Sequence, residues 1–272
     1  MRQAHSRFDR HVERTTAAAG PQPRWEFTRV CLLIALAAAP LPLLAQRGPA
    51  GGKGFLFERP KVSVTLRGGY DAPTARSEIF DFTIDQLTLS RRDFAAGNIS
   101  LDVGVRLRER LDLVLGTGQS RRTAGSEFRR FVDDDDLPIE QVTRLRRRPL
   151  TVGLQTALTA PGERIGRLAW IPSRITPWVG AGGGAMFYQF LQEGDFVEAA
   201  TLDVFADRLS SQGVAPMAYA NLGLDIRVAT RLFLTTDVRY SAARARLSGS
   251  FERFDRIDLS GTAATLGLTF RL

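Results

Sequence analysis

Residues able to carry acid–base or nucleophilic chemistry are unevenly placed along this 272-residue chain. His5, His11 and Cys31 are its only histidines and its only cysteine, and all three precede residue 46. Beyond that point, zinc sites built from His and Cys, cysteine nucleophiles and serine nucleophiles relying on an imidazole base are excluded. Carboxylates remain. Asp133 to Asp136 form an acidic run followed by Glu140, but consecutive acids do not converge on one centre, and the spaced-acid calcium loop is missing. The run reads as a solvated loop tip. Gly180, Gly182 and Gly184 with Ala185 spell a degenerate dinucleotide-binding match, but no helix pattern follows. In a strand, such glycines make room for bulky neighbours or permit sharp curvature.

The formal charge is +8, from 37 Lys+Arg against 29 Asp+Glu. Lys53 and Lys61 are the only lysines, and the arginines are spread along the chain, so no nucleic-acid footprint is visible. Two arginine-containing sets stand out. Arg144, Arg146 and Arg148 alternate just ahead of an apolar run from Leu150; above a hydrocarbon edge they either bind glycolipid phosphates, for which bidentate geometry suits arginine, or form a merely solvated strand extension. Arg67, Asp102, Arg106, Asp225, Arg227, Asp237, Arg239 and Arg271 occupy the polar positions of alternating segments. Isolated charges in a dry interior are costly, so opposite signs should pair. The expectation is a network filling the lumen, with Arg106, Arg227, Asp102 and Asp225 near one end and an arginine excess that admits some water. No cofactor is expected, and no ligand or permeant is identified.

The elements that position these residues are strands. Val62, Val64, Leu66 and Tyr70 oppose Ser63, Thr65, Arg67 and Gly69, and segments beginning at Ile99, Leu150, Leu222, Leu232 and Leu266 alternate in the same way. Leu111 to Arg121 and Pro177 to Phe190 complete eight strands. Two tight hairpins share one pattern: Val105, Arg106, Leu107, two turn residues, Arg110, Leu111; and Ile226, Arg227, Val228, two turn residues, Arg231, Leu232. The connections 71–97, 122–140, 191–213 and 243–258 are long. Long and short links alternate, apart from the link at 159–176, which predicts one elaborate and one plain rim. Segments 80–89 and 196–205 read as short helices or strand extensions above the barrel. The fold class is all-β, an eight-stranded antiparallel up-and-down transmembrane β-barrel over residues 61–272.

Alternation alone does not say which face meets solvent. The polar face is mostly Gly, Ala, Ser and Thr with interspersed charges, as suits a narrow interior. Tyr70 and Tyr240 fall at one end of their strands and Phe270 at the other, where aromatic girdles belong. The alternative is a soluble periplasmic barrel holding an apolar ligand. At the N-terminus, Val30 to Ala45 is an apolar run broken by Pro40 and Pro42 and preceded by Arg24 and Arg29, a signal-peptide pattern with cleavage after Ala45. Residues 1–45 are therefore assigned to export and 46–60 to a flexible linker.

Thr265, Gly267, Phe270 and Leu272 match the C-terminal signal that outer-membrane barrels present to their assembly machinery, with Leu in place of the usual terminal aromatic. Residues 177–184, PWVGAGGG, are similar to the pattern of small OmpA/OmpW-like barrels, and the chain resembles that family. The resemblance implies the bacterial outer membrane, contact with its lipid and glycolipid, and the assembly machinery as a partner; the enzymatic barrels comparable to it use histidine, which does not occur after residue 45, so a non-enzymatic chain is expected. The resemblance further implies surface contact, envelope integrity or passage of small hydrophobic compounds as roles.

Overall fold

The computed structural model describes residues 55–132, 136–166, 169–197 and 204–272. The assigned signal segment, most of the assigned linker and Asp133 to Asp135 of the acidic run lie outside them. In chain order the strands are β1 (Val62–Pro73), β2 (Ala96–Arg106), β3 (Leu111–Val132), β4 (Pro138–Ala157), β5 (Gly162–Ile165), β6 (Ala169–Pro172), β7 (Ile175–Val197), β8 (Val204–Arg227), β9 (Leu232–Ala245), β10 (Ile257–Asp258) and β11 (Gly261–Arg271). Eight of them close a ring in the order β1, β2, β3, β4, β7, β8, β9, β11, antiparallel throughout. Closure runs from Ser63 opposite Arg271 to Pro73 opposite Gly261. With both edges paired, the ring leaves no open ladder at this level.

The outward positions form an apolar belt. Leu66, Leu115, Leu154, Leu222 and Leu268 are each about half exposed, whereas Arg67, Asp102, Asp225, Asp237 and Arg271 on the alternate positions are at most 6% exposed. A soluble barrel distributes these classes the other way. A leucine left in water forfeits roughly 1.5–3 kcal/mol of burial free energy, a penalty that hydrocarbon removes. Exposed Tyr70 and Tyr240 bound the belt on one side, and Phe270 and Leu272 on the other. The wall is that of a membrane-spanning barrel.

Four strands continue far above the belt. β3, β4, β7 and β8 have 22, 20, 23 and 24 residues, and the β3–β4 ladder reaches Val132 opposite Pro138. The stretches 122–140 and 191–213, read from sequence as loops, are therefore mostly strand, and the described part of 196–205 belongs to the same extension. The physical reason is a change of solvent at the hydrocarbon edge. On β4 the outward side is Leu154, Val152 and Leu150 within the belt but Arg148, Arg146 and Arg144 above it. There Leu145 and Ile139 turn inward and are buried. The period of two persists while its polarity inverts, which disguises the extension in the sequence.

Two connections fold down between the extended strands. The β1–β2 connection contains α1 (Glu78–Gln86), whose first turn carries Glu78 and Asp81 at the positive end of the helix dipole and which buries Ile79, Phe80 and Thr83. Segment 80–89 is thus largely helical. The β9–β11 connection supplies Leu247, Phe251, Ile257 and Leu259. Together with Leu145, Met186, Phe190 and Met217 from the wall, these residues form one apolar cluster. The opposite rim is less plain than the sequence suggested, because link 159–176 folds into the β5–β6 hairpin. Leu56 adds to this hairpin by exchanging two backbone hydrogen bonds with Trp170, at 2.8 Å each. The described end of the 46–60 segment is therefore docked and not a free linker, since a strand edge is available there to take its backbone polar groups.

Candidate functional site

The lumen is built in layers. Nearest the β5–β6 rim, Arg106 donates to Asp112 at 2.9 Å and to the Pro60 carbonyl at 3.1 Å. Arg227 donates to the Pro172 carbonyl. These inward arginines hold the 55–61 strap and the hairpin across the opening. In the next layer Asp225 pairs with Arg271 and accepts hydrogen bonds from Trp178 Nε1 at 3.1 Å and Thr235 Oγ1 at 2.9 Å. Arg271 also lies 4.0 Å over the Phe233 ring. The expected grouping of Arg227 with Asp225 is not formed; Arg271, on the closing strand, takes that place because strand tilt brings it nearer.

The central layer joins four predicted residues. Arg67 pairs with Asp102 and lies 3.8 Å from Asp237. Arg239 is 3.7 Å from each of these acids and 4.6 Å over the Tyr219 ring. Above it, Arg147 pairs with Asp71 and donates to the Leu259 carbonyl at 2.9 Å. Asp71, Asp112 and Arg147 were missed in the sequence, although parity with Arg67, Asp102 and Arg67-facing positions reveals them: Arg147 falls between two outward arginines and must point inward. Asp71 and Asp112 bring the five predicted arginines level with five aspartates, and Arg147 restores an excess of one. A cavity of about 50 Å³ remains between the central layer and the Arg147–Asp71 pair, room for a few water molecules.

The glycine run, whose facing the sequence left undecided, is resolved by β7. Trp178, Met186 and Tyr188 point inward with Gly180, Gly182 and Gly184. A Cβ on Gly182 would come within 2.9 Å of the Tyr219 ring, so the glycine there admits a bulky residue from β8.

On the outer surface, Arg144, Arg146 and Arg148 lie in one row above Leu150. Arg146 and Arg148 both donate to Gln119 Oε1, at 3.1 and 2.9 Å, and Arg144 donates to Thr123 Oγ1 at 3.4 Å. Arg121 is directly opposite Arg146. At the C-terminus, Phe270 and Leu272 face outward while Thr265 and Gly267 face the lumen. Gly267 also has a packing role, because a Cβ there would crowd Arg67 Cγ at 2.7 Å.

An eight-stranded up-and-down ring with an apolar exterior and an ion-paired interior is the architecture of the small outer-membrane β-barrels, and this chain has it. Among solved structures, it is similar to OprG from Pseudomonas aeruginosa, with 12% identity over 80% of this chain and 99% of that one and a TM-score of 0.44. It is also similar to outer membrane protein W of E. coli, with 14% identity over 80% and 100% and a TM-score of 0.36. The outer membrane protease OmpT from Escherichia coli gives 8% identity over 81% and 99% and a TM-score of 0.37. No family model and no curated protein matches the sequence. Likeness at this level concerns the fold, and a fold shared with a protease does not assign an activity.

Proposed function

We propose that the protein resides in the outer membrane as a non-enzymatic barrel with a sealed lumen, acting through its exterior in surface contact and envelope integrity. The observation carrying this reading is closure at three heights: the apolar cap, the Arg–Asp layers, and the strap with its hairpin. Passage of hydrophobic compounds along the axis would have to cross the charged layers, which disfavours that role. The absence of His and Cys after residue 45, and the pairing of Asp71, Asp102, Asp225 and Asp237 with arginines, support a non-enzymatic chain. Export by residues 1–45 and recognition of Thr265, Gly267, Phe270 and Leu272 by the assembly machinery would bring it to the membrane.

The row of Arg144, Arg146 and Arg148, with Arg121 beside it, fits phosphates of the outer-leaflet glycolipid. These groups stand directly above the hydrocarbon-facing leucines, and guanidinium binds phosphate in a bidentate manner. The test combines membrane fractionation, gel migration with and without boiling, and planar-bilayer recording. A heat-shifted band in the membrane fraction and no steady conductance are expected; a large, steady conductance would overturn the sealed lumen. With lipid A as the probe, Arg144→Gln with Arg146→Gln should reduce retention several-fold, and unchanged retention would remove the glycolipid assignment.

A further inference from the structure

A row of weak positions crosses the four extended strands where they leave the ring. The β3–β4 ladder keeps one register from Thr117 opposite Leu150 to Ser120 opposite Arg147, yet between these pairs Gly118 and Gln119 are not joined to Pro149 and Arg148. Pro149 has no N–H to give, so a proline inside an interior strand leaves a ladder bond unmade. The row continues through Met186 of β7, opposite Pro149, to Ala215 of β8, opposite Met186. Next to Ala215 stands Pro216, and the β8–β9 ladder ends one position below it, at Met217 opposite Ala243. On β7, Gly182 to Gly184 lie just below the row. On the other side, β2 leaves β3 two residues above Gly118, at Asn98 opposite Ser120. Below this line eight strands form a closed ring. Above it β3, β4, β7 and β8 form an open sheet, an arm that carries both hairpin tips.

The interior beside the row is also built to yield. The cavity of about 50 Å³ is lined by Gly118, Pro149, Met186 and Met217, so free space adjoins the line. Met186 and Met217 are the only methionines after Met1, and an unbranched thioether repacks readily where neighbours shift. The charged layers that seal the lumen, from Arg67 and Arg239 downwards, lie below the row and are not crossed by it. Just above it, Arg147 reaches from the arm to the ring: its side chain is 4% exposed, pairs with Asp71 of β1 and donates to the carbonyl of Leu259, which precedes β11. We propose that Gly118, Pro149, Met186 and Pro216 form a joint on which the arm tilts against the ring, and that the Arg147–Asp71 pair is the latch that holds it. The latch is strong while both partners are present, because a buried charge deprived of its partner is costly. A hinge concentrates its change in a few residues, so the ring stays sealed while the hairpin tips change inclination. The joint goes beyond the surface-contact reading and rests on neither the lipid nor the glycolipid assignment.

The test measures distances between nitroxide labels by electron spin resonance in the reconstituted full chain. Cys31 is the only cysteine, so Cys31→Ser leaves introduced pairs as the sole labels. Three pairs use exposed positions: Leu101→Cys with Leu222→Cys inside the ring, Glu127→Cys with Arg208→Cys inside the arm, and Leu101→Cys with Arg208→Cys across the joint. With the native joint, the distribution across it should be broader than either internal one. Asp71→Asn should enlarge its minor population several-fold and leave the ring pair unchanged, whereas Pro149→Thr, which supplies the missing N–H, should narrow it towards the internal widths. Each variant is first checked for the heat-dependent gel shift, and if Asp71→Asn does not fold, the Pro149→Thr comparison decides. A distribution across the joint that is as narrow as the internal pairs, or that Pro149→Thr leaves unaltered, would overturn the joint. Equal broadening of the ring pair in Asp71→Asn would assign the ion pair to ring stability and overturn the latch.

Discussion

Phe190 is where the cap meets the wall, and Phe190→Ala should release the cap while leaving the barrel closed. The side chain projects inward from β7 and is fully buried. Its ring lies 5.9 Å from Phe80 of α1 and 5.3 Å from Phe251 of the β9–β11 connection, so one residue holds both cap segments. Phe→Ala in a core costs roughly 3–5 kcal/mol. At about 1.4 kcal/mol per decade this raises the open population of the cap by two to nearly four orders of magnitude. The backbone pairing of Phe190 with Leu145 and Ser211 is untouched by the substitution, so the heat-dependent gel shift should persist. Hydrogen exchange of the α1 amides in reconstituted protein should accelerate by that factor, while β1 and β11 exchange as before. Acceleration below tenfold in a folded variant would show that the aromatic cluster does not hold the cap, and equal acceleration in β11 would show that cap and barrel are one cooperative unit.

Asp258 tests the cap by pH. Burial works to raise the pKa of its carboxyl, but hydrogen bonds from the Thr74 hydroxyl and from the Ser260 and Arg76 amides prevail and hold it below the usual range. A depressed folded-state value stabilises fully above the unfolded value, near 3.9, and that stabilisation is lost as pH falls through the folded value. Cap exchange should therefore accelerate below about pH 4, and Asp258→Asn should abolish that dependence. Asp225→Asn leaves Arg271 buried against a neutral partner and should cost about 3–5 kcal/mol, whereas Arg227→Ala loses a charged bond to a carbonyl worth about 1.5–3 kcal/mol; the midpoints of the thermal gel shift should rank them in that order. Leu154→Arg should cost roughly 2–4 kcal/mol in lipid if it lies near the midplane. Thr151→Arg should also destabilise, because Thr151 is buried beside Gly116 and Asp102, and a tolerant Thr151→Arg would indicate a wetter lumen. Deleting Phe270 to Leu272 removes the end of the closing strand together with the Asp225 partner, and should abolish membrane accumulation without blocking export; normal accumulation would refute the assembly role.

The sequence by itself determined the ring. Strict alternation from Val62 to Tyr70 and in its five counterparts dictates strands with one apolar side, and the repeated hairpins place their turns on a common rim. Parity also put Arg67, Asp102, Asp225, Asp237, Arg239 and Arg271 on one face, because a strand repeats every two residues whatever surrounds it. Partners could not be assigned in this way. Which arginine meets Asp225 depends on strand tilt and register across the barrel, and Arg271 is 46 residues away along the chain. Tertiary structure likewise decided the upper half. Once β3, β4, β7 and β8 leave the bilayer their outward side faces water, so Leu145 and Phe190 belong inside although Leu150 and Leu154 on the same wall belong outside. A hydrophobicity pattern records contrast between faces without recording the solvent beyond each face. The cap exists because those inward apolar residues need a covering that the barrel wall cannot provide, and only the folded chain brings Phe80 and Phe251 from two distant connections to Phe190.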